Sequence, residues 1–297
     1  MTQKICAIIV AYNPTYEKFH LLIRSLINQV NDIIIVNNGE DSLTFDFLKK
    51  STVKLINNKY NIGIAQAQNI GINEAIKLGS DFILTSDQDS EYPNDFIKTM
   101  IDELKKCCSN TMCIAPYFRD KNRGNKVEKS VSFNSNGFIS QNKSLIDCYV
   151  SHVISSGMLF KASAFEIIGR FDARFFIDYV DHDWCFRCAS KNYKIFQTSK
   201  IIINHEIGDR PRKVFSQMLI IPSGQRVYYY MRNLFFMMIF KRYACKIKIY
   251  IIKRYLIQLT KFIMSEPNNT FKYLLKSIID SCRMFNMNFN EYLKINE

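Results

Sequence analysis

Short apolar runs alternate with helix-like segments over the first ninety residues, and this alternation limits the fold more than any other feature of the sequence. The apolar runs have the length of buried strands and lie at residues 5–11, 32–36, 53–56 and 82–85. The segments between them carry apolar side chains at helical spacing, at residues 16–29, 43–50 and 61–78. Strands that are apolar throughout are typical of parallel sheets covered on both faces. The pattern therefore predicts an α/β fold with a doubly wound, mostly parallel, Rossmann-like sheet, whose site lies beyond the carboxyl ends of the strands.

The charge of the chain is uneven along its length. The 297 residues carry a net charge of +13. Residues 1–209 hold 24 Lys and Arg against 23 Asp and Glu, whereas residues 210–297 hold 16 against 4. A basic chain suggests nucleic-acid binding, but this tail has no recognition motif and its cations alternate with Ile and Leu. We therefore predict a nearly neutral domain at 1–209 and a basic helical extension at 210–297, with helices at 225–242, 245–264 and 270–287.

The cysteines and the lengths of the apolar runs indicate the cellular compartment of the protein. Nine Cys are scattered without a framework, which is typical of free thiols in a reducing cytosol. Cys185 and Cys188 have the spacing of a redox or metal pair, but we interpret them as helix packing because no second pair accompanies them. The sequence shows neither a signal peptide nor an apolar run of membrane-spanning length, so it predicts a cytoplasmic protein.

Two carboxylates follow the fourth predicted strand. Asp87 and Asp89 flank Gln88 in a turn, and both can reach one divalent cation. Hard oxygen ligands suit Mg²⁺ or Mn²⁺ bound to a diphosphate, although an Asp in a turn also caps helices. His205 follows a strand-like run at 201–203, where it is either a third metal ligand or a structural side chain.

A denser acidic cluster comprises Asp172, Asp178, Asp181 and Asp183, with His182 inside it. Aromatic side chains surround these acids, and apolar surroundings raise the pKa of a carboxyl group toward the range of a general base. The alternative is that an Asp caps the helix predicted over 179–190. Both roles are compatible if one Asp caps the helix and its neighbour is catalytic.

The glycines of segment 61–71 do not form a dinucleotide-binding fingerprint. Gly63 and Gly71 stand eight residues apart, which excludes a G-x-G-x-x-G phosphate turn. The small residues of the segment instead indicate a helix packed closely on the sheet, with Asn61 and Asn69 as polar contacts.

An ordered set of motifs makes the sequence recognisable. In chain order they are Ala-Tyr-Asn-Pro at 11–14, Val-Asn-Asn-Gly at 36–39, the segment 61–71, Ser-Asp-Gln-Asp-Ser at 86–90, Ser156-Gly157, the acidic segment 171–187 and His205. The set resembles the inverting family 2 glycosyltransferases with the GT-A fold, and is most like the bacterial rhamnosyltransferases of O-antigen and polysaccharide biosynthesis. The resemblance covers residues 5–235. It implies a GT-A catalytic domain at 1–209, with a nucleotide-sugar half at about 1–100 and an acceptor half at about 101–209.

The resemblance also implies roles for single residues. It implies donor contacts by Asn13, Pro14, Asn38, Asn61, Asp87, Ser156 and Gly157, and metal ligation by Asp87, Asp89 and His205. Asp181 matches the general base of the family. Many relatives have a Glu directly before this Asp, where this chain has Val180, and Asp178 and Asp183 are therefore kept as alternative candidates for the base. Asp178, Asp183 and Trp184 would support the site or bind the acceptor. Arg226, Tyr229, Arg232 and Asn233 match a helix segment that follows the catalytic domain in this branch, whereas Asn37 replaces an Asp that is frequent in the second-strand motif.

The implied activity is transfer of rhamnose from dTDP-rhamnose to a hydroxyl of a polyprenyl-diphosphate-linked oligosaccharide, with Mg²⁺ or Mn²⁺ as cofactor. A UDP-linked galactosyl, galactofuranosyl or glucosyl donor is the alternative within the family. A basic nucleic-acid-binding protein is the alternative outside the family, although we expect no nucleic-acid partner.

The cationic amphipathic helix predicted at 245–264 indicates peripheral binding to the cytoplasmic face of the bacterial inner membrane. The alternative is a packing helix with a solvated polar face. The sequence does not determine the oligomeric state, and it is compatible with a homo-oligomer.

Overall fold

The computed structural model describes residues 3–43, 51–120, 126–133, 139–141, 145–205, 212–214, 217–219, 225–265 and 267–287. The helix predicted at 43–50 lies outside these ranges apart from its first residue. Several side chains also lie outside the described part of the chain, and these belong to residues 139–141, 205, 212–214, 217–219, 225, 265 and 267–270.

The strands of this part of the chain are β1 (Ile5–Ala11), β2 (Asp32–Asn37), β3 (Val53–Asn57), β4 (Phe82–Asp87), β5 (Thr111–Asp120), β6 (Lys126–Val127), β7 (Val131–Phe133), β8 (Ile139–Gln141), β9 (Cys148–Val150), β10 (Leu159–Lys161), β11 (Lys194–His205), β12 (Arg212–Val214) and β13 (Gln217–Leu219). The helices are α1 (Tyr16–Leu26), α2 (Ile64–Lys77), α3 (Phe96–Lys106), α4 (Ala164–Ile167), α5 (Val180–Ser190), α6 (Gln225–Ile239), α7 (Cys245–Ser265) and α8 (Pro267–Asn286). The helices predicted within the described ranges are present, with ends displaced by at most three residues.

The main sheet has the strand order β3-β2-β1-β4-β10-β5-β11-β9, with β6 paired to β5. The first four strands are parallel to one another, and β11 is parallel to β5. The short strand β10 lies antiparallel between β4 and β5, and β9 is antiparallel to β11. The predicted α/β class with a mostly parallel central sheet is therefore confirmed, and the antiparallel strands belong to its later half.

Alternate residues of β1 enter two different cores. Ile8 belongs to a core shared with α2 and α5, whereas Ile9 belongs to a core shared with α1 and α3. Because both faces of the sheet are covered, β1 is apolar throughout, as the sequence pattern indicated. Gly71 lets α2 approach the sheet closely, since a Cβ at this position would overlap Ile8 Cγ2.

The helices α6, α7 and α8 pack on one another and on the side of the sheet that carries α2 and α5. Their buried side chains join the same core as Ile8, and they include Met231, Phe236, Ile251, Phe262 and Met284. The predicted C-terminal helices are therefore confirmed. Within the described ranges, every helix is too short or too polar to cross a membrane.

A buried ion-pair cluster fastens these helices to α5. Asp183 is fully buried, and its carboxylate lies 2.8 Å from Arg187 Nε and 3.0 Å from Lys241 Nζ. The hydroxyl of Tyr243 donates a further hydrogen bond to Asp183. Lys241 Nζ also lies 2.6 Å from Asp172, so one ammonium group joins two carboxylates. Burial alone would raise the pKa of Asp183, but Arg187 and Lys241 outweigh it and hold this pKa below its usual range.

We predict that Asp183→Asn lowers the free energy of unfolding by about 3–5 kcal/mol, because it leaves buried cations without their counter-charge. Urea denaturation at pH 7 measures this change. Since the pKa of Asp183 is lowered in the folded chain, the stabilisation is present at neutral pH and is lost as the pH falls through that lowered pKa.

Asp102→Asn is the matched control, because Asp102 pairs with Lys105 at the exposed surface. An exposed pair contributes about 0–1 kcal/mol. Equal small losses in the two variants would contradict the assignment of Asp183 as a buried anchor.

Candidate active site

A cavity of about 400 Å³ opens beyond the carboxyl ends of the central strands. Its walls come from three parts of the fold, namely Gln68 and Asp87 on the sheet side, the segments 154–156 and 177–182, and Arg226, Tyr230 and Arg254 from α6 and α7. The C-terminal helices thus form one wall of the cavity. The structure brings Asp87, Ser156, Asp178 and Asp181 together here, as residues of one site.

The segment before β10 is docked on the end of β4. Asp87 is the last residue of β4, and its backbone N–H donates to Ser156 Oγ at 3.2 Å. The N–H of Gly157 donates to the carbonyl oxygen of Thr85 at 2.8 Å. Gly157 has a φ of 74°, a conformation that favours glycine. These contacts hold Ser156 at the cavity wall beside Asp87.

Asp181 lies in the first turn of α5 with its carboxylate at the cavity. Its Oδ2 accepts a hydrogen bond from the N–H of Ser155 at 3.1 Å, and its Oδ1 accepts one from the N–H of His182 at 2.8 Å. His182 Nδ1 lies 2.7 Å from the same Oδ1. The carboxylate is therefore oriented by two neighbouring segments.

The pKa of Asp181 corrects an expectation from the sequence. Burial alone would raise this pKa, but His182 and the hydrogen bonds to the carboxylate outweigh burial and lower it. The aromatic residues around the acidic cluster are present, yet His182 and the N–H donors at Asp181 decide the direction. The predicted rise was wrong for Asp181, and equally for Asp172 and Asp183, which are ion-paired.

Two residues before α5 adopt left-handed backbone conformations. Asp178 and Tyr179 have φ angles of 66° and 61°, which are uncommon for residues with a Cβ. Arg226 of α6 donates to both carboxylate oxygens of Asp178, from Nε at 3.0 Å and from a terminal nitrogen at 2.8 Å. The amide of Asn233 donates to the carbonyl oxygen of Asp178 at 2.8 Å. Helix α6 therefore stabilises the turn that aims Asp181 at the cavity.

Two predicted site residues lie in the protein interior. Asp183 is fully buried in the ion-pair cluster with Lys241. Trp184 is also fully buried, and its indole N–H donates to the carbonyl oxygen of Gly169 at 2.9 Å. Contact of either side chain with an acceptor is therefore excluded in this conformation. Their contacts fix α5 in the fold, and the predicted supporting role of both residues at the site stays a prediction.

The residues predicted to bind the donor base cluster at the ends of β1 and β2. Asn38 is buried, and its Nδ2 donates to Asn61 Oδ1 at 2.8 Å. Asn61 Oδ1 also accepts a hydrogen bond from the N–H of Gly63 at 2.9 Å. Asn13 and Pro14 follow β1 at the same edge of the sheet. This cluster lies at the carboxyl ends of the strands, outside the lining of the 400 Å³ cavity.

The predicted metal ligands differ in their position relative to the cavity. Asp87 lines the cavity, whereas Asp89 is exposed two residues later. The side chain of His205 lies outside the described residues, among which no three acidic, His or Cys side chains are grouped closely enough to hold a metal ion. Two carboxylates of one turn still fit Mg²⁺ or Mn²⁺, since such ions complete their coordination with phosphate oxygens and water.

No role was predicted from the sequence for several polar residues of the cavity, and these include Gln68, Tyr179, His182, Tyr230 and Arg254. The spacing of Arg226 and Tyr230 could have shown that both lie on one face of α6. In the sequence Arg254 is one cation of the amphipathic helix predicted at 245–264, and only the packing of α7 on the core reveals its inward position. His182 was seen as part of the acidic cluster without a role.

Comparisons with known proteins agree with this architecture. The family model described as Glycosyl transferase family 2 matches residues 6–169. A curated relative, dTDP-rhamnosyl transferase RfbF of Shigella flexneri, is 31% identical over 283 residues, which cover 94% of each chain.

Solved structures resemble the fold at low sequence identity. Residues 1–349 of S. aureus TarS have a TM-score of 0.57 at 13% identity, over 94% of this chain and 81% of that chain. GalNAc-T7 with UDP, GalNAc and Mn²⁺ has a TM-score of 0.56 at 13% identity, over 89% of this chain and 58% of the GalNAc-T7 chain. These likenesses confirm the predicted GT-A fold. A match over more than half of the chain, together with a relative that is similar along almost all of it, shows that the chain belongs to glycosyl transferase family 2.

Proposed function

We propose that the protein is an inverting glycosyltransferase that moves rhamnose from dTDP-rhamnose to a sugar hydroxyl of a lipid-linked oligosaccharide. The observation that carries this proposal is the Asp181 carboxylate, which is oriented toward the cavity and has a lowered pKa. The similarity to dTDP-rhamnosyl transferase RfbF supports rhamnose as the sugar. A UDP-linked hexose is the alternative donor, and a comparison of dTDP- and UDP-sugars in binding assays distinguishes the two.

In the proposed reaction Asp181 acts as the general base. The acceptor hydroxyl transfers its proton to the Asp181 carboxylate while its oxygen forms a bond to the anomeric carbon. The bond between that carbon and the diphosphate oxygen breaks on the opposite side, and its electron pair leaves with dTDP. The single displacement inverts the anomeric configuration. Asp178 is paired to Arg226 and Asp183 is buried, so Asp181 is the carboxylate best placed for this role.

Donor binding is proposed for the edge of the sheet that adjoins Asp87. Asn13, Pro14, Asn38 and Asn61 would surround the nucleoside, and Ser156 with Gly157 would border the sugar. Asp87 and Asp89, with His205 as the further ligand, would hold Mg²⁺ or Mn²⁺. A bound divalent ion supplies positive charge to the departing diphosphate.

The membrane proposal rests on the exposed apolar side chains of α7 and α8. On α7 they recur at helical spacing at Ile249, Ile252, Leu256 and Ile263, and on α8 at Phe271, Leu275 and Ile279. Leu256 is 54% exposed and Phe271 is 72% exposed. Lys253 and Lys272 are exposed among them. Because α7 also reaches the cavity through Arg254, a membrane bound to its outer face would present a lipid-linked acceptor near Asp181.

We predict that Asp181→Asn lowers kcat/KM by about 10²–10⁴-fold, because the amide cannot accept the acceptor proton. Binding of dTDP-rhamnose, measured by isothermal titration calorimetry, should persist. Asp95→Asn is the control, since Asp95 is exposed at the start of α3. Turnover of Asp181→Asn within tenfold of the parent enzyme would remove Asp181 from the mechanism.

The pH dependence of the reaction tests the contact between Asp181 and His182. Since the pKa of Asp181 is lowered, the carboxylate is ionised at neutral pH. Replacing the imidazole in His182→Gln removes the group that lowers this pKa most, so the pKa of Asp181 should rise and the acid limb of the kcat/KM profile should move to higher pH. His20→Gln on α1 is the control. An acid limb that stays in place in His182→Gln would contradict the proposed coupling.

Vesicle flotation tests the membrane proposal. We predict that the protein binds vesicles containing phosphatidylglycerol at low salt and that Leu256→Gln with Ile263→Gln weakens this binding at least fivefold, because apolar area is lost from the outer face. The control pair is Leu21→Gln with Ile167→Gln, which removes exposed apolar groups elsewhere. Equal vesicle binding by the test pair and the parent would contradict the proposal, as would self-association through this face without vesicle binding.

A further inference from the structure

Arg254 places a cation at the cavity wall without a counter-charge. Its side chain is half-buried and lines the cavity from α7. Within the described ranges it forms no ion pair, and its fully buried Nε has no hydrogen-bond partner. Arg226 on the same wall differs, because it donates hydrogen bonds to both carboxylate oxygens of Asp178.

The groups nearest Arg254 leave its charge uncompensated. The neighbours that interact with it are the phenols of Tyr179, Tyr230 and Tyr250. Burial raises the pKa of Tyr230 to about 12, and it also raises the pKa of Tyr179 and Tyr250. These phenols are therefore neutral at physiological pH and supply no negative charge to the guanidinium group.

Two further buried polar atoms of the same cavity leave hydrogen-bonding capacity unused. Gln68 is 2% exposed and its Oε1 accepts no hydrogen bond. Tyr179 is 7% exposed, and its hydroxyl, whose polar neighbour is the Arg254 guanidinium group, donates to no acceptor. Buried polar atoms are nearly always hydrogen-bonded. An amide oxygen accepts from a hydroxyl group, whereas a phenol and a guanidinium group donate to an oxyanion. The three atoms together suit a ligand that carries hydroxyl groups and an anionic group.

We propose that Arg254 binds a phosphate oxyanion of a substrate, with Tyr179 as a second donor and Gln68 accepting from a sugar hydroxyl. The planar N–H fork of Arg matches the geometry of phosphate oxygens. The inference rests on the proposed function for the identity of the substrate. The phosphate belongs either to the diphosphate of the donor or to the diphosphate of the lipid-linked acceptor.

Calorimetric titration of the full chain with inorganic diphosphate and with dTDP tests the proposal. Arg254→Gln should weaken binding of inorganic diphosphate at least tenfold, because it removes the charged fork. Arg242→Gln is the control, since Arg242 is exposed next to the start of α7, and it should stay within twofold of the parent. The thermal midpoint of Arg254→Gln should equal or exceed that of the parent, because a buried charge without a partner is removed.

The two phosphate sources give different results. Loss of dTDP affinity with an unchanged KM for the lipid-linked acceptor assigns Arg254 to the donor. Unchanged dTDP affinity with a raised KM for the diphosphate-bearing acceptor, and not for a neutral octyl glycoside acceptor, assigns it to the acceptor. Either result supports the proposal.

Two outcomes would overturn the inference about Arg254, and a third would contradict the proposed function on which it rests. Unchanged diphosphate affinity and unchanged acceptor KM in Arg254→Gln would overturn it. A lower thermal midpoint in both Arg254→Gln and Arg254→Lys would also overturn it, because it would show that Arg254 stabilises the fold. Failure of the parent to bind dTDP or UDP would instead contradict the proposed function, while inorganic diphosphate would still test Arg254.

Discussion

The pairing of Asp172 and Asp183 through Lys241 is the interaction on which the site depends. These carboxylates stand at the two ends of the segment that contains Asp178 and Asp181, and the ammonium group of Lys241 contacts both. Separating the C-terminal helices from this segment would leave charges unpaired in the core, which is strongly unfavourable. The segment that carries Asp181, the proposed general base, is thus held in place by Lys241, sixty positions after Asp181 in the chain.

The cations of the basic C-terminal region therefore fall into two sets, inward and outward, that its net charge does not distinguish. Arg226, Lys241 and the fully buried Arg232 face inward, where they hold the segment before α5. Lys253 and Lys272 face outward among exposed apolar side chains. One helix, α7, contributes to both the cavity and the outer surface. This arrangement connects the proposed membrane face directly to the proposed acceptor site.

The sequence was sufficient for features that depend on periodicity and order along the chain. The strands through residue 87, the C-terminal helices and the family followed from apolar spacing and motif order, and Gly71 was correctly related to helix packing. Features that depend on long-range contacts could not be predicted from the sequence. The antiparallel insertion of β10, the burial of Trp184 and the inward position of Arg254 are set by tertiary packing. The pKa of Asp181 was predicted in the wrong direction because the N–H of Ser155 reaches Asp181 only in the fold, and because the sequence does not show that the His182 ring turns back onto the Asp181 carboxylate.

In the proposed reaction a single carboxylate, Asp181, assists one direct displacement at the anomeric carbon. The anomeric configuration of the newly formed linkage reports on this displacement, and the one-bond carbon–hydrogen coupling of the product in NMR spectra measures it. We expect a configuration opposite to that of the sugar in the nucleotide donor. A product that retains the donor configuration would contradict this expectation, since retention requires two displacements or a different mechanism.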